Sequence, residues 1–275
     1  MNSNFDNVLS ALNRTIQKNH SVQVWLPSLI NTETQHVLFM PLSIQQQNNL
    51  LKTTLNRGDF HSSAYTKALY QIIQENYINN NQTTITTNDF TVLDKIFISL
   101  KLRSSIGNTY TIVKDDISTV IDLALVYNTL KEAVLNNINL ISTQSFKIND
   151  IQVTCNLPTI AVEAQCEQER PQIPIEEIES QIQNIIFDTV GSEISKFSSV
   201  ITIDGNEPIN LNAFSFAERK KIVEQLPTTV LNNILEYTVN YKQLVEQALT
   251  YRFTTKEDKE AQDTLQFNGS FFAAQ

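Results

Sequence analysis

Between Thr86 and Gly107 the chain reads TTNDFTVLDKIFISLKLRSSIG, and this stretch constrains the fold more than any other of its length. Phe90, Leu93, Phe97 and Leu100 recur at the three- and four-residue spacing of one helical face, which Ile96 widens. Thr87, Asn88 or Asp89 can cap the first turn through a side-chain oxygen, with acidic charge near the positive end of the helix dipole. Lys101 and Arg103 complement the opposite end, and Gly107 is free to take a left-handed turn beyond it. The expectation is a buried central helix with Phe97 in the core.

The 275 residues around it suffice for one large domain or two smaller ones. Asn4 to Lys18 places Phe5, Val8, Leu9, Leu12 and Ile16 on one face, predicting an amphipathic helix that covers the core. Val22–Leu26 and Val37–Met40 read as two strands, the first closed by Pro27, which cannot continue a ladder. Ser43 with Gln46 forms a capping-box pattern before a helix that buries Leu50, Leu51 and Leu55 and stops near Gly58. Arg57-Gly58-Asp59 resembles an adhesion tripeptide but is read as a helix-ending turn. Ser63 to Ile78 predicts a further helix with Leu69, Ile72, Ile73 and Tyr77 inward.

Beyond Gly107 the period changes to that of short strands. Tyr110–Val113, Ile117–Ile121, Ser145–Ile148, Ile151–Leu157 and Ile160–Ala164 are rich in β-formers, and Asn149-Asp150 supplies a hairpin turn. Leu123 to Leu135 is helical in pattern. The expectation is a small antiparallel sheet packed on the central helix. Glu167 to Pro174, EQERPQIP, is the best linker. After it, Ile175, Ile178, Ile182, Ile185, Ile186, Val190, Ile194 and Phe197 keep a helical period. Ser215 with Glu218 caps another helix, and Val230 to Leu249 forms a last long one. The fold class expected is therefore α+β, with an N-terminal body at 1–168. A helical section follows at 169–275 and can end in a hairpin of Tyr251–Thr254 with Thr264–Phe267.

Charge and chemistry exclude more than they assign. The formal net charge of −9 argues against a nucleic-acid-binding surface, which needs concentrated basic charge. No apolar run approaches the roughly 20 residues that span a bilayer. MNSNFDNVLSAL lacks the basic flank and apolar core of a signal peptide, so residence in a cytoplasm is expected. The two cysteines, Cys155 and Cys166, are expected buried and reduced in such a compartment, although facing strands could join them. His20, His36 and His61 have no metal-binding spacing, and no phosphate loop, nucleophile elbow or dinucleotide fingerprint is present. Asp115 and Asp116 are adjacent, so their side chains diverge. No catalytic residue, metal ligand or cofactor is expected, and the chain is not expected to be an enzyme.

Several landmarks occur in a recognisable order. They are Trp25-Leu26-Pro27-Ser28-Leu29, then Phe39-Met40-Pro41-Leu42 with a Gln-rich helix, then Asn88-Asp89-Phe90 through Phe97, Leu100, Arg103-Ser104-Ser105 and Gly107. Asn156-Leu157-Pro158 and Gly269-Ser270-Phe271-Phe272 complete the order. Together they resemble the T4-type baseplate hub family of contractile-tailed bacteriophages, a group of baseplate hub subunits or tail-assembly chaperones. The central segment is similar to that family's D-[apolar]-E-x-L-F-L-x-L-R-x-x-S-x-G stretch. One departure is that members of that family often carry a cysteine pair of zinc-knuckle type just before the Phe-Phe end, where this chain reads Thr254-Thr255-Lys256-Glu257-Asp258.

The resemblance implies a structural or assembly protein at the baseplate hub, present in the host cytoplasm during assembly and in the virion. Its partners would be other phage tail and baseplate proteins, not nucleic acid or membrane, with self-association left open. A tail-assembly chaperone absent from the virion is the nearer alternative, and a cytoplasmic enzyme or ligand-binding protein with a dispersed site the farther one. Three residues are candidates for partner binding. Arg103 is expected either to meet an acidic partner or to cap carbonyls. Phe271 and Phe272 either fold back onto the chain's own helical section or anchor in a neighbouring subunit.

Overall fold

The computed structural model describes residues 20–33, 35–55, 63–79, 85–114, 117–169, 177–255 and 259–273, with residues 7, 8, 10–12, 15 and 16. It is an α+β protein whose contacts divide it into two compact units. The first comprises residues 1–129 and 250–275, the second 130–249. The boundary expected at 168/169 therefore falls inside the second unit.

In the first unit, β1 (Val22–Trp25), β2 (His36–Phe39) and β3 (Tyr77–Ile78) form an antiparallel sheet in that order. Helix α1 (Ile44–Leu55) begins at the expected reciprocal box. Ser43 N donates to Gln46 Oε1 at 3.0 Å, and Gln46 N donates to Ser43 Oγ at 3.2 Å. Leu50 is buried and Leu51 half-buried, while the side chain of Leu55 lies outside the described residues. Helix α2 (Ser63–Asn76) buries Leu69, Ile72 and Ile73. It stops two residues before the expected end, because Tyr77 and Ile78 leave it to pair with β2. Asn76 makes that exit: its carbonyl accepts from Met40 N at 2.8 Å and its side-chain amide donates to the Met40 carbonyl at 3.1 Å. Val8 and Leu12, expected on a core-facing helix, are both exposed, and much of that segment lies outside the described residues.

The central helix is α3, Val92–Ser104. Its start differs from expectation, at Val92 and not at the first capping position. Two reciprocal boxes stand in tandem, Thr86 with Asp89 around a 3-10 turn at Thr87–Asp89, and Thr91 with Asp94 at the helix itself. Phe90 sits in the extended link between them and is still fully buried. The second box starts the helix because Asp94 is tied to two places. Its Oδ2 accepts from Thr91 N and Oγ1 at 2.7 and 2.8 Å, and its Oδ1 accepts from Ser28 N at 3.1 Å. Leu93, Phe97, Ile98, Leu100 and Leu102 are all buried. Phe97 meets Trp25 and Tyr127 edge to face, with ring centroids 5.0 and 5.1 Å away. Gly107 does not take the expected left-handed conformation.

The chain continues into a hairpin of β4 (Thr109–Lys114) and β5 (Ile117–Asp122). Asp122 Oδ1 then caps α4 (Leu123–Asn136) by accepting from Ala124 N at 2.8 Å. On the return, β10 (Thr250–Thr254) pairs with β11 (Glu260–Thr264), four residues earlier than expected, because the connection closes between Thr255 and Lys259. A short 3-10 turn at Gly269–Phe272 follows.

The second unit holds a four-stranded antiparallel sheet in the order β6 (Gln144–Ile148), β7 (Ile151–Cys155), β8 (Ser198–Ile203), β9 (Ile209–Asn210). Asn149 turns the first hairpin with φ of 54°. The expected strand at Ile160–Ala164 is instead part of α6, Ile160–Glu169, with Thr159 Oγ1 accepting from Val162 N at 3.3 Å. Strand β8, from beyond the expected linker, takes the place beside β7. That ladder is why a division at 168/169 fails: it would cut through the sheet. Residues 167–169 continue α6, and the rest of the expected linker lies outside the described residues, as does Arg57-Gly58-Asp59. The remaining helices are α5 (Ile138–Ile141), α7 (Ile178–Phe197), α8 (Phe216–Glu224) and α9 (Thr228–Leu249). Helix α8 carries the expected Ser215–Glu218 box.

Candidate interaction surface

Helix α7 is packed against the rest of the second unit along its C-terminal half and carries exposed apolar side chains along its N-terminal half. One face is held by the second unit. Asp188 pairs with Lys220 of α8, and Gly191 lies so close to α8 that a Cβ there would come within 3.1 Å of Glu224 Oε1 and 3.2 Å of Lys220 Cε. Further along, Glu193 pairs with Lys196 and, at 2.7 Å, with Lys242 of α9. Burial would raise the Glu193 carboxyl, but the two ammonium groups outweigh it and hold the carboxyl below its usual range. Burial would likewise lower Lys196, and Glu193 outweighs it to hold the ammonium above its usual range. Ser192, Ile194, Ser195 and Phe197 are buried, so this end of the helix is fixed.

The other face looks outward. Ile182, Ile186 and Val190 follow one another every four residues, which advances only about 40° around a helix each time. They are 53%, 55% and 39% exposed, and Phe187 beside them is 75% exposed. Ser180, Gln183 and Asn184 around them are exposed and uncharged. Exposed apolar side chains grouped on one helix make this a candidate interaction surface.

Sequence periodicity missed this face because it pooled every apolar position of α7 into one stripe. Ile185 is half-buried and Ile186 is exposed. The usable signal was the width of the apolar arc together with Phe187.

The three residues expected to bind a partner lie together in the interior of the first unit. Phe271 and Phe272 are fully buried and stack edge to face with each other at 5.1 Å, and Phe271 also meets Tyr110 at 5.1 Å and Phe267 at 4.9 Å. They fold back, but onto α1 and Arg103 of the first unit and not onto the C-terminal helices. As the chain stands, neither ring is presented to a neighbouring subunit. Arg103 is also buried, and it caps carbonyls: Nε to Phe271 at 2.7 Å, Nη1 to Gly107 at 3.0 Å and Nη2 to Thr109 at 3.2 Å.

Cys155 and Cys166 are buried free thiols. Burial pushes the Cys155 thiol up to about 12, against a smaller opposing pull from Arg219. Arg219 is itself buried, which brings its guanidinium down to about 10. It donates to the Lys196 carbonyl at 2.9 Å, to the Ser198 carbonyl and to Asn212 Oδ1 at 2.7 Å. These bonds tie α8 to the start of β8. Among the described residues no cluster of three or more His, Cys, Asp or Glu could hold a metal ion, and no helix is long and apolar enough to cross a membrane.

Comparison with protein-family models, with curated proteins and with solved structures found no match for this chain.

Proposed function

We propose that this chain is a non-enzymatic assembly protein of a contractile phage tail that acts at the baseplate hub by binding other tail proteins. The observation that carries the reading is the outward apolar face of α7, formed by Ile182, Ile186, Phe187 and Val190. The ordered landmarks from Trp25 to Phe272 that resemble the T4-type hub family direct it to the baseplate. The mechanism is burial: a partner lays an apolar surface on the α7 face and removes it from water. A stable contact needs at least about 1,200 Å² of total buried area, so the α7 face is the centre of a larger footprint. The buried ionisable groups fit this reading, because Asp94, Arg103, Glu193, Lys196 and Arg219 are each engaged in bonds that hold the fold.

The test is an Ile186→Ser, Phe187→Ser double variant in the infecting phage, paired with mass spectrometry of purified virions. The expected result is a folded chain, a loss of complete tails, and the wild-type chain present among the virion proteins. Normal tail assembly by the double variant would overturn the role given to this face. Loss of tails with the wild-type chain absent from virions would assign the chaperone role instead.

A further inference from the structure

Residues 265–267 carry no regular structure, and at Asn268 the chain enters a turn that closes on itself. Asn268 Oδ1 accepts from Ser270 N at 3.0 Å, from Phe271 N at 3.2 Å and from Ser270 Oγ at 2.6 Å. The turn thus draws its shape from its own bonds. What receives it is a groove between α1 and Arg103. Gly269 lies against the Leu50 carbonyl, so close that a Cβ would overlap that oxygen, with Thr53 Oγ1 on the same side. The Phe271 carbonyl takes the Arg103 Nε donor, and both phenyl rings are fully enclosed.

The groove is selective by construction. It requires a residue without a Cβ, then a carbonyl two positions on, then two adjacent aromatic rings. It is also preorganised. The two Nη donors of Arg103 are held by Gly107 and Thr109, which do not belong to the tail. Two of the three guanidinium nitrogens are therefore anchored independently of the tail. A buried donor left without an acceptor is costly, so an emptied groove favours any segment that restores the carbonyl.

We propose that this groove is a peptide-binding site for a Gly-x-Phe-Phe segment, which the chain's own residues 268–273 fill in cis as a removable plug. Its ligand in trans is the same segment of a second copy of this chain. Tethering gives the cis segment an effective concentration in the millimolar range, so free peptide at micromolar concentration does not displace it from the wild-type protein. This inference is independent of the role proposed at the baseplate.

The test uses full-length protein carrying Gly269→Val, which blocks its own tail from seating. It is titrated by fluorescence anisotropy with a labelled peptide of residues 266–275, QFNGSFFAAQ. The expected result is binding to the Gly269→Val protein at least about tenfold tighter than to wild type. Adding Arg103→Met, which removes the Nε donor, should cost about tenfold again, as expected for one charged hydrogen bond. The same peptide carrying the Gly269→Val change should not bind. A folded Gly269→Val protein that ignores the peptide, or takes both peptides equally, would overturn the proposal. If the variant does not fold unaided, recovery of its circular dichroism on adding the wild-type peptide supports the proposal, and no recovery overturns it.

Discussion

The Arg103 Nε–H donates to the carbonyl of Phe271 at 2.7 Å, joining two residues 168 positions apart. A buried guanidinium is costly unless its donors are satisfied, and here each of its three nitrogens donates to a main-chain carbonyl. Burial lowers the Arg103 pKa from its usual value, partly offset by Tyr110, whose ring lies 5.7 Å from the guanidinium carbon. One side chain thus ties the end of the central helix, the start of β4 and the C-terminal turn together.

Arg103→Lys keeps the charge but loses the planar fork that reaches three carbonyls. The expected loss of stability is about 2–4 kcal/mol in a urea titration. A loss below about 0.5 kcal/mol would mean that the carbonyl bonds contribute nothing net.

Phe97 is fully buried between Trp25 and Tyr127, so Phe97→Ala removes a ring from the centre of the first unit. The expected cost is about 3–5 kcal/mol. A denaturant midpoint that barely moves would contradict the position assigned to this ring.

The Glu193–Lys196–Lys242 group predicts a pH signature. The Glu193 carboxyl is held below its unfolded value, so its contribution is present above about pH 4.3 and is lost as pH falls through the lower folded value. Lys196 is held above its unfolded value, so its contribution is full below about pH 10.4 and is lost as pH rises through the folded value. Glu193→Gln leaves a buried ammonium short of its partner and should be clearly destabilised between these limits. Guanidinium titrations of both proteins at pH 7 and pH 3 should show the gap narrowing at the lower pH. An equal gap at both would remove Glu193 ionisation as its source.

Phe187→Ser should leave stability within about 0.5 kcal/mol of wild type, because the ring is three-quarters exposed. Calorimetry of the isolated protein checks this. A drop above about 1 kcal/mol would place Phe187 inside the chain's own packing and withdraw it from the interaction surface.

With its thiol raised to about 12 and fully buried, Cys155 should resist iodoacetamide at pH 8 in the native protein and react promptly in urea. Cys166, also buried, should behave alike. Rapid native labelling of either, followed by peptide mapping, would show that the second unit opens around it.

Much of the secondary structure was legible because its causes are local. Ser43–Gln46 and Ser215–Glu218 are visible as spacings of three residues, and both cap the helices they predict. The short apolar runs Val22–Leu26 and Val37–Met40 sufficed to locate two strands, observed at Val22–Trp25 and His36–Phe39, and Phe97 was placed in the core by the stripe it centres. Where local readings competed, the sequence was ambiguous. Thr86-x-x-Asp89 and Thr91-x-x-Asp94 are equally good boxes, and Asp94 prevails because Ser28, distant in sequence, adds a donor. Ile160–Ala164 has strand-forming residues, yet the helix wins once β8 occupies the position beside β7.

By itself, then, the sequence determined most of the helices and several strands, that both cysteines and Phe97 are interior, and that the class is α+β, since periodicity and capping act within a few residues. The tertiary structure decided which face of α7 stays outward, that β7 pairs with a strand from beyond residue 168, and that the tail returns to Arg103. Those outcomes rest on which distant partner fills each face. A repeating pattern encodes that a face is apolar, but what covers it is chosen only when the whole chain packs.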